Sequence, residues 1–194
     1  MAKLYFRFGT VGSAKTLNLL AVAHNYQIQG KRPILIKPEL DQRWTVATIR
    51  SRAGLEKPAD IMIHHDTVLD DDLFEETDCI LVDEAQFLAA HHIQRLRQIT
   101  RTLSIPVICY GLRTDFKTQL FEGSRRLMEL ADSIEEVKTT CAYCNKKAIF
   151  NLKLLDGEPT LSGPKIDLGA EEKYLPTCHD CYYVKLDILP ETEI

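Results

Sequence analysis

The chain has 194 residues, 45% of them hydrophobic and 27% charged, which excludes a disordered polymer and leaves room for one substantial domain with a small appendage. A formal net charge of −4 argues against a broad polynucleotide-binding face, and no apolar run approaches the length of a membrane span. The N-terminal apolar run is too short for a signal peptide, so the expectation is a cytoplasmic protein whose six cysteines are reduced or metal-bound.

Residues 4–8 are apolar and aromatic and read as a strand. They lead into Gly9-Thr10-Val11-Gly12-Ser13-Ala14-Lys15-Thr16, and a helical pattern (Leu17, Leu20, Ala21, Ala23, His24) leads out toward Gly30. The loop satisfies the phosphate-binding pattern G-x-x-x-x-G-K-[ST] at Gly9, Lys15 and Thr16, with Ala14 in place of the second glycine. Backbone N–H groups converging at a helix N-terminus favour phosphate. In that reading Lys15 reaches the β- and γ-phosphates and the Thr16 hydroxyl ligates Mg²⁺. The plainer alternative is an ordinary glycine-containing strand–helix turn.

Residues 32–38 read as a second, buried strand. Residues 39–58 are polar, carry Arg43, Trp44, Arg50, Arg52 and Gly54, and are expected to form a loop serving the active site. A short strand at 61–63 and an acidic short helix at 70–76 follow. Residues 79–84 form a strong strand ending in Asp83-Glu84. A helix at 89–103, a strand at 106–110, a loop from Gly111, a helix at 120–131 and a strand at 134–139 complete the set. Strands alternating with helices imply a parallel sheet covered on both faces, with the C-terminal strand ends along one edge.

Asp83 is expected to hold Mg²⁺ with Thr16, and Glu84 to handle the proton of the attacking group; the alternative is an acidic surface turn. Phe87 either stacks on a base or packs under the next helix. Cys79 and Cys109 read as inert core residues, and His64-His65 and His91-His92 as solvated faces. Trp44 offers ligand stacking or local packing.

From Thr140 the character changes. Cys141-x-x-Cys144 and Cys178-x-x-Cys181 suit tetrahedral thiolate ligation of a structural Zn²⁺, against a redox pair or coincidence; His179 is a substitute ligand that fits less well than Cys181. The 33 residues between Cys144 and Cys178 exceed the usual zinc-ribbon spacing, so that loop has work beyond connection. It holds strand-like runs at 148–155 and 162–169 around the turn Asp156-Gly157. Residues 186–194 are acidic and expected to fray.

Asp41-Gln42-Arg43, Val82-Asp83-Glu84-Ala85-Gln86-Phe87, Tyr110-Gly111-Leu112-Arg113-Thr114-Asp115-Phe116, the two cysteine pairs and residues 169–174, together with the phosphate loop, resemble the cytosolic type II thymidine kinases, bacterial members most of all. The resemblance spans nearly the whole chain; Ala14 and Asp167 depart from it. It implies a P-loop (RecA-like) α/β kinase domain at 1–139, a zinc-binding lasso domain at 140–185 and a tail at 186–194. The activity it implies is transfer of the ATP γ-phosphoryl group to the 5′-hydroxyl of thymidine. Glu84 would be the general base, and Lys15 and Arg43 would stabilise the transferring group. Residues Gly9 to Thr16 and Asp83 would hold ATP and Mg²⁺. Phe87, Leu112 and Phe116 would line the thymine pocket, Ile166, Leu168 and Gly169 would close over the base, and Tyr174 would lie near the sugar. A homotetramer and feedback inhibition by dTTP follow from the family alone.

Two readings of other classes stand beside it. Asp83-Glu84-Ala85-Gln86 also resembles the Mg²⁺ motif of helicase-type ATPases, although one nucleotide-binding lobe fills this length and no basic, aromatic strand-binding surface is evident. A zinc-stabilised nucleotide-sensing module without turnover is the other.

Overall fold

The structure, a computed structural model, describes residues 1–39, 48–164 and 173–188. Six strands form one parallel sheet: β1 (Leu4–Phe8), β2 (Pro33–Pro38), β5 (Ile61–Ile63), β6 (Cys79–Val82), β7 (Val107–Gly111) and β8 (Ser133–Glu136). Their order is β5-β2-β6-β7-β1-β8. Every pairing in it is parallel, from Ile36 beside Ile61 at one side to Tyr5 beside Ser133 at the other.

The strands read as continuous apolar runs because both faces are covered. Alternate residues enter two different cores. Ile34, Ile36, Ile80, Val82, Val107 and Cys109 face one layer, where Ile93, Leu96 and Ile99 of α2 (Ala90–Thr102) and Leu127 of α3 (Glu122–Leu130) pack. Leu35, Cys79, Leu81, Ile108 and Tyr110 face the other, against Leu19, Leu20 and Ala23 of α1 (Lys15–Ile28). Burial pushes the Cys79 thiol up to about 11 and that of Cys109 higher still, so both are inert core residues, as expected.

The polar excursion differs from the loop expected of it. Thr48–Arg50 (β3) and Glu56–Pro58 (β4) pair antiparallel around a turn in which Gly54 has φ +85°. Ile49 is the reason: it is 1% exposed and inserts into the α1 core, pinning the hairpin to the sheet. The acidic segment is a single 3₁₀ turn, Asp71–Phe74, held by the burial of Phe74.

Beyond β8, Phe150–Leu155 (β9) is the centre of a second, three-stranded antiparallel sheet, flanked by Glu158–Pro159 (β10) and Tyr174–Thr177 (β11). Asp156 and Gly157, with φ of 51° and 86°, make the β9–β10 hairpin turn anticipated at that dipeptide. A helix, His179–Leu186 (α4), follows; its N-cap is Cys178. Leu186 thus ends a helix that Asp187 caps with φ 53°, and residues 189–194 of the expected tail lie outside the described residues. Two buried contacts tie this unit to the parallel sheet. The Tyr182 hydroxyl donates to the Phe116 carbonyl, and Asn151 Nδ2 donates to the Thr114 carbonyl at 3.3 Å.

Candidate active site

The phosphate loop leaves β1 at Gly9. A Cβ there would lie 2.4 Å from both Ser13 Oγ and the Val137 carbonyl, so only glycine fits. Gly12 and Ala14 both have positive φ, 72° and 63°. Ala14 therefore stands in the left-handed conformation a glycine would adopt without strain, and the helix begins directly after it. The Lys15 ammonium donates to the Thr10 carbonyl at 2.7 Å and to Ser13 Oγ at 3.2 Å. Thr10 Oγ1 is buried with no hydrogen-bond partner among the described residues, an unsatisfied polar group inside the phosphate cradle. The Val11 N–H is held by Asn151 Oδ1 at 2.8 Å, so β9 braces the loop.

Across the sheet edge, the Thr16 hydroxyl reaches both oxygens of Asp83, at 3.2 and 3.1 Å. Asp83 is 4% exposed, and its backbone N–H donates to the Ile36 carbonyl of β2 at 2.9 Å. An alcohol and a buried carboxylate in contact at a phosphate loop are a donor set suited to a hard divalent cation. Glu84 follows with φ 50° and ψ 39°, a left-handed backbone on a non-glycine residue of the kind that clusters at functional sites. It turns the chain off β6, and its carboxylate accepts from Gln86 Nε2 at 2.5 Å.

Beside this corner lies a cavity of about 500 Å³ at the C-terminal edge of β2 and β5. Phe87 lines it and meets Phe121 edge-on, with ring centroids 5.7 Å apart. Leu112, Phe116 and Tyr174 do not line it. Phe116 is buried elsewhere, 6.3 Å from the Tyr174 ring and beneath the Lys153 ammonium, while Leu112 hands its N–H to Gln86. The aromatic candidates thus fall into two groups, Phe87 with Phe121 and Phe116 with Tyr174. Arg43, Ile166, Leu168 and Gly169 lie outside the described residues, as do Asp41, Trp44 and Asp167.

Three further residues at this site had no role assigned from sequence. Gln86 was visible inside the D-E-A-Q-F stretch, but only its contacts give it one. Phe121 sits at a helix N-cap and Asn151 in a strand of the second sheet; neither carries a local signal. The histidines divide: His64, His65 and His91 are exposed, but His92 is 2% exposed and bonded through Nε2 to the Thr67 carbonyl at 3.1 Å. Its position on the inner face of α2 overrides the polarity that suggested a solvated ring.

The four knuckle cysteines converge. Their sulfurs all lie within 4.8 Å of one another, and two of the separations, Cys144–Cys178 and Cys144–Cys181, are 3.7 Å. Tetrahedral ligation with Zn–S of about 2.3 Å requires sulfurs about 3.8 Å apart, whereas a disulfide would bring them to about 2.0 Å. The N–H groups of Tyr143 and Cys181 donate to Cys141 and Cys178 sulfurs. Burial opposes ionisation of Cys141, but backbone donors outweigh it and hold its pKa at about 7. The cluster fits zinc.

Fold and site together define a P-loop α/β nucleotide-binding protein with an appended four-cysteine metal-type unit. The chain belongs to the thymidine kinase family: the family model described as thymidine kinase matches residues 2–182. Among curated relatives, the thymidine kinase of Lactococcus lactis subsp. lactis is 42% identical over 94% of this chain and 98% of its own length. That of Streptococcus gordonii is 43% identical over 97% and 99%, and that of Lactiplantibacillus plantarum 42% over 94% and 96%. Among solved structures, the Pif1 helicase from Candida albicans aligns with 70% of this chain and 36% of its own at a TM-score of 0.42 and 12% identity, too distant to bear on function. No described helix is long and apolar enough to cross a membrane.

Proposed function

We propose that this protein transfers the γ-phosphoryl group of ATP to the 5′-hydroxyl of thymidine, giving dTMP in nucleotide salvage. The observation that carries the proposal is the contact of Thr16 with Asp83 beneath the phosphate loop, with Glu84 the next residue in the chain. Thr16 and Asp83 would hold Mg²⁺, which when bound neutralises phosphate charge and orients the transferring group. Lys15 exchanges its loop partners for β- and γ-phosphate oxygens, and the Thr10 hydroxyl gains an acceptor. Glu84 takes the proton from the 5′-hydroxyl as the oxygen attacks. The cavity of about 500 Å³ beside it, walled by Phe87 and Phe121, receives the acceptor's base. Phe116 and Tyr174 act from the zinc-bearing side. A boundary after residue 139 separates the kinase unit from the zinc-binding one in this reading, and a cytoplasmic homotetramer inhibited by dTTP completes it.

The test is phosphoryl transfer from labelled ATP with Mg²⁺ to thymidine, deoxyuridine, deoxycytidine and deoxyadenosine. Labelled monophosphate should arise chiefly from thymidine, and Glu84→Gln should bind nucleoside yet lose about 10²–10⁴ in turnover. ATP consumption stimulated by single-stranded DNA, without nucleoside product, would replace the proposal with a helicase-type ATPase; nucleotide binding without turnover would replace it with a sensing module.

A further inference from the structure

Gln86 lies in the Ala85–Phe87 turn and is 2% exposed. Its side-chain amide is divided between two partners on different strands' ends. Nε2 donates to Glu84 Oε2 at 2.5 Å, and Oε1 accepts from the Leu112 N–H at 2.9 Å. The chemistry of the partners leaves one orientation for the amide. A backbone N–H can only donate and an ionised carboxylate can only accept, so the oxygen must face Leu112 and the nitrogen Glu84. Space for this clamp comes from the end of β7: a Cβ on Gly111 would lie 2.6 Å from Gln86 Oε1 and 3.1 Å from its backbone nitrogen. A glycine at that position lets the amide bridge β6 and β7 where a side chain would evict it.

We infer that Gln86 is a positioning residue for Glu84. It ties one carboxylate oxygen of the base to the backbone of β7's C-terminal loop. This holds the carboxylate's direction relative to the cavity that Gln86 and Phe87 both line. A buried amide anchored at both ends restricts the rotamers of the carboxylate it holds before substrate arrives. The inference rests on Glu84 being the general base.

The experiment compares kcat, thymidine KM and pH–rate profiles of the wild type, Gln86→Glu, Gln86→Met and Glu84→Gln. Gln86→Glu keeps an acceptor for the Leu112 N–H but sets carboxylate against carboxylate, and the pair then shares protons. Its kcat at neutral pH should fall about tenfold or more, with the acidic limb of the profile displaced upward by about one pH unit or more and KM changed less than about threefold. Gln86→Met, which keeps the side-chain length without either hydrogen bond, should lose kcat by about tenfold without displacing the limb upward. Wild-type kcat and pH profile in Gln86→Glu, or wild-type kcat in Gln86→Met, would overturn the inference while Glu84→Gln remained inactive. Full turnover in Glu84→Gln would overturn the general-base reading itself, and the positioning role with it.

Discussion

The Thr16 hydroxyl lies 3.1 Å from Asp83 Oδ2, joining the first turn of α1 to the end of β6 across 67 positions of sequence. The pair offers a cation one neutral and one anionic oxygen. Asp83→Asn keeps the shape and removes the charge, and should reduce Mg²⁺-dependent kcat by about 10²–10³ while thermal stability changes little. Thr16→Ser, which retains the hydroxyl, should stay within about tenfold of the wild type. Equal activity of Asp83→Asn and wild type across a Mg²⁺ titration would remove this pair from metal binding.

Ala14 is the oddity of the phosphate loop. Its left-handed backbone costs an alanine about 1–2 kcal/mol, and glycine would return about 0.4–1 kcal/mol of that through the freedom of the unfolded chain. Ala14→Gly should therefore raise the melting temperature by about 1–3 °C. Calorimetry that found a lowered midpoint would show that the contacts of the Ala14 methyl group outweigh the strain.

Gly123 offers a sharper case, because helix propensity and packing predict opposite signs. Alanine in a helix is favoured over glycine by about 1 kcal/mol. Yet a Cβ at Gly123 would lie 2.4 Å from the Ala85 carbonyl and 2.7 Å from that of Leu88, pressing on the turn that carries Gln86 and Phe87. Packing should win: Gly123→Ala should lose about 1–3 kcal/mol of stability, seen as an earlier urea midpoint, together with part of its turnover. A stabilised, fully active variant would mean that α3 slides freely over the turn.

The zinc assignment is open to direct measurement. Elemental analysis of purified protein should find about one zinc per chain, and Cys144→Ser should lose it. Without the metal, protease should cut between residues 145 and 177 and thymidine KM should rise. Metal-free wild-type protein with full activity would refute the structural role.

Burial lowers the pKa of His92, and the neighbouring His91 and His65 push in the same direction against the Thr67 carbonyl. The folded-state value is then below the unfolded one of about 6.5. The unfolded chain takes up this proton first, so the contribution to stability is intact above that pH. It is lost as pH falls from there through the folded value. Melting temperature should drop between pH 7 and pH 5, and His92→Gln, which keeps a donor toward Thr67, should flatten that drop. Identical pH slopes would assign the acid sensitivity elsewhere.

Much of this molecule was legible in one dimension. Apolar runs such as Ile34-Leu35-Ile36 and Cys79-Ile80-Leu81-Val82 announced strands buried on both faces, since a strand with one solvated face alternates. Gly9 with Lys15 and Thr16, and two C-x-x-C pairs, are compact because their chemistry depends on neighbouring backbone groups or a single turn of chain. Local signals failed where burial was conferred by distant residues. Ile49 draws a polar stretch into a hairpin, α2 carries His92 inward, and Thr177 at the end of β11 pairs with Phe150 of β9.

The sequence by itself determined the layered α/β class, the phosphate loop, the cysteine ligand set and the carboxylates at the end of β6, because each is written in periodicity or spacing within a few residues. The tertiary structure supplied the direct contact by which Asp83 meets Thr16, and it alone decided that Gln86 bridges Glu84 and Leu112 and that Asn151 braces the phosphate loop. Those contacts depend on strand order, which local pattern does not encode. Two strands of identical periodicity can be neighbours or lie at opposite edges, and only the packing of α1 on one face and α2 and α3 on the other selects which.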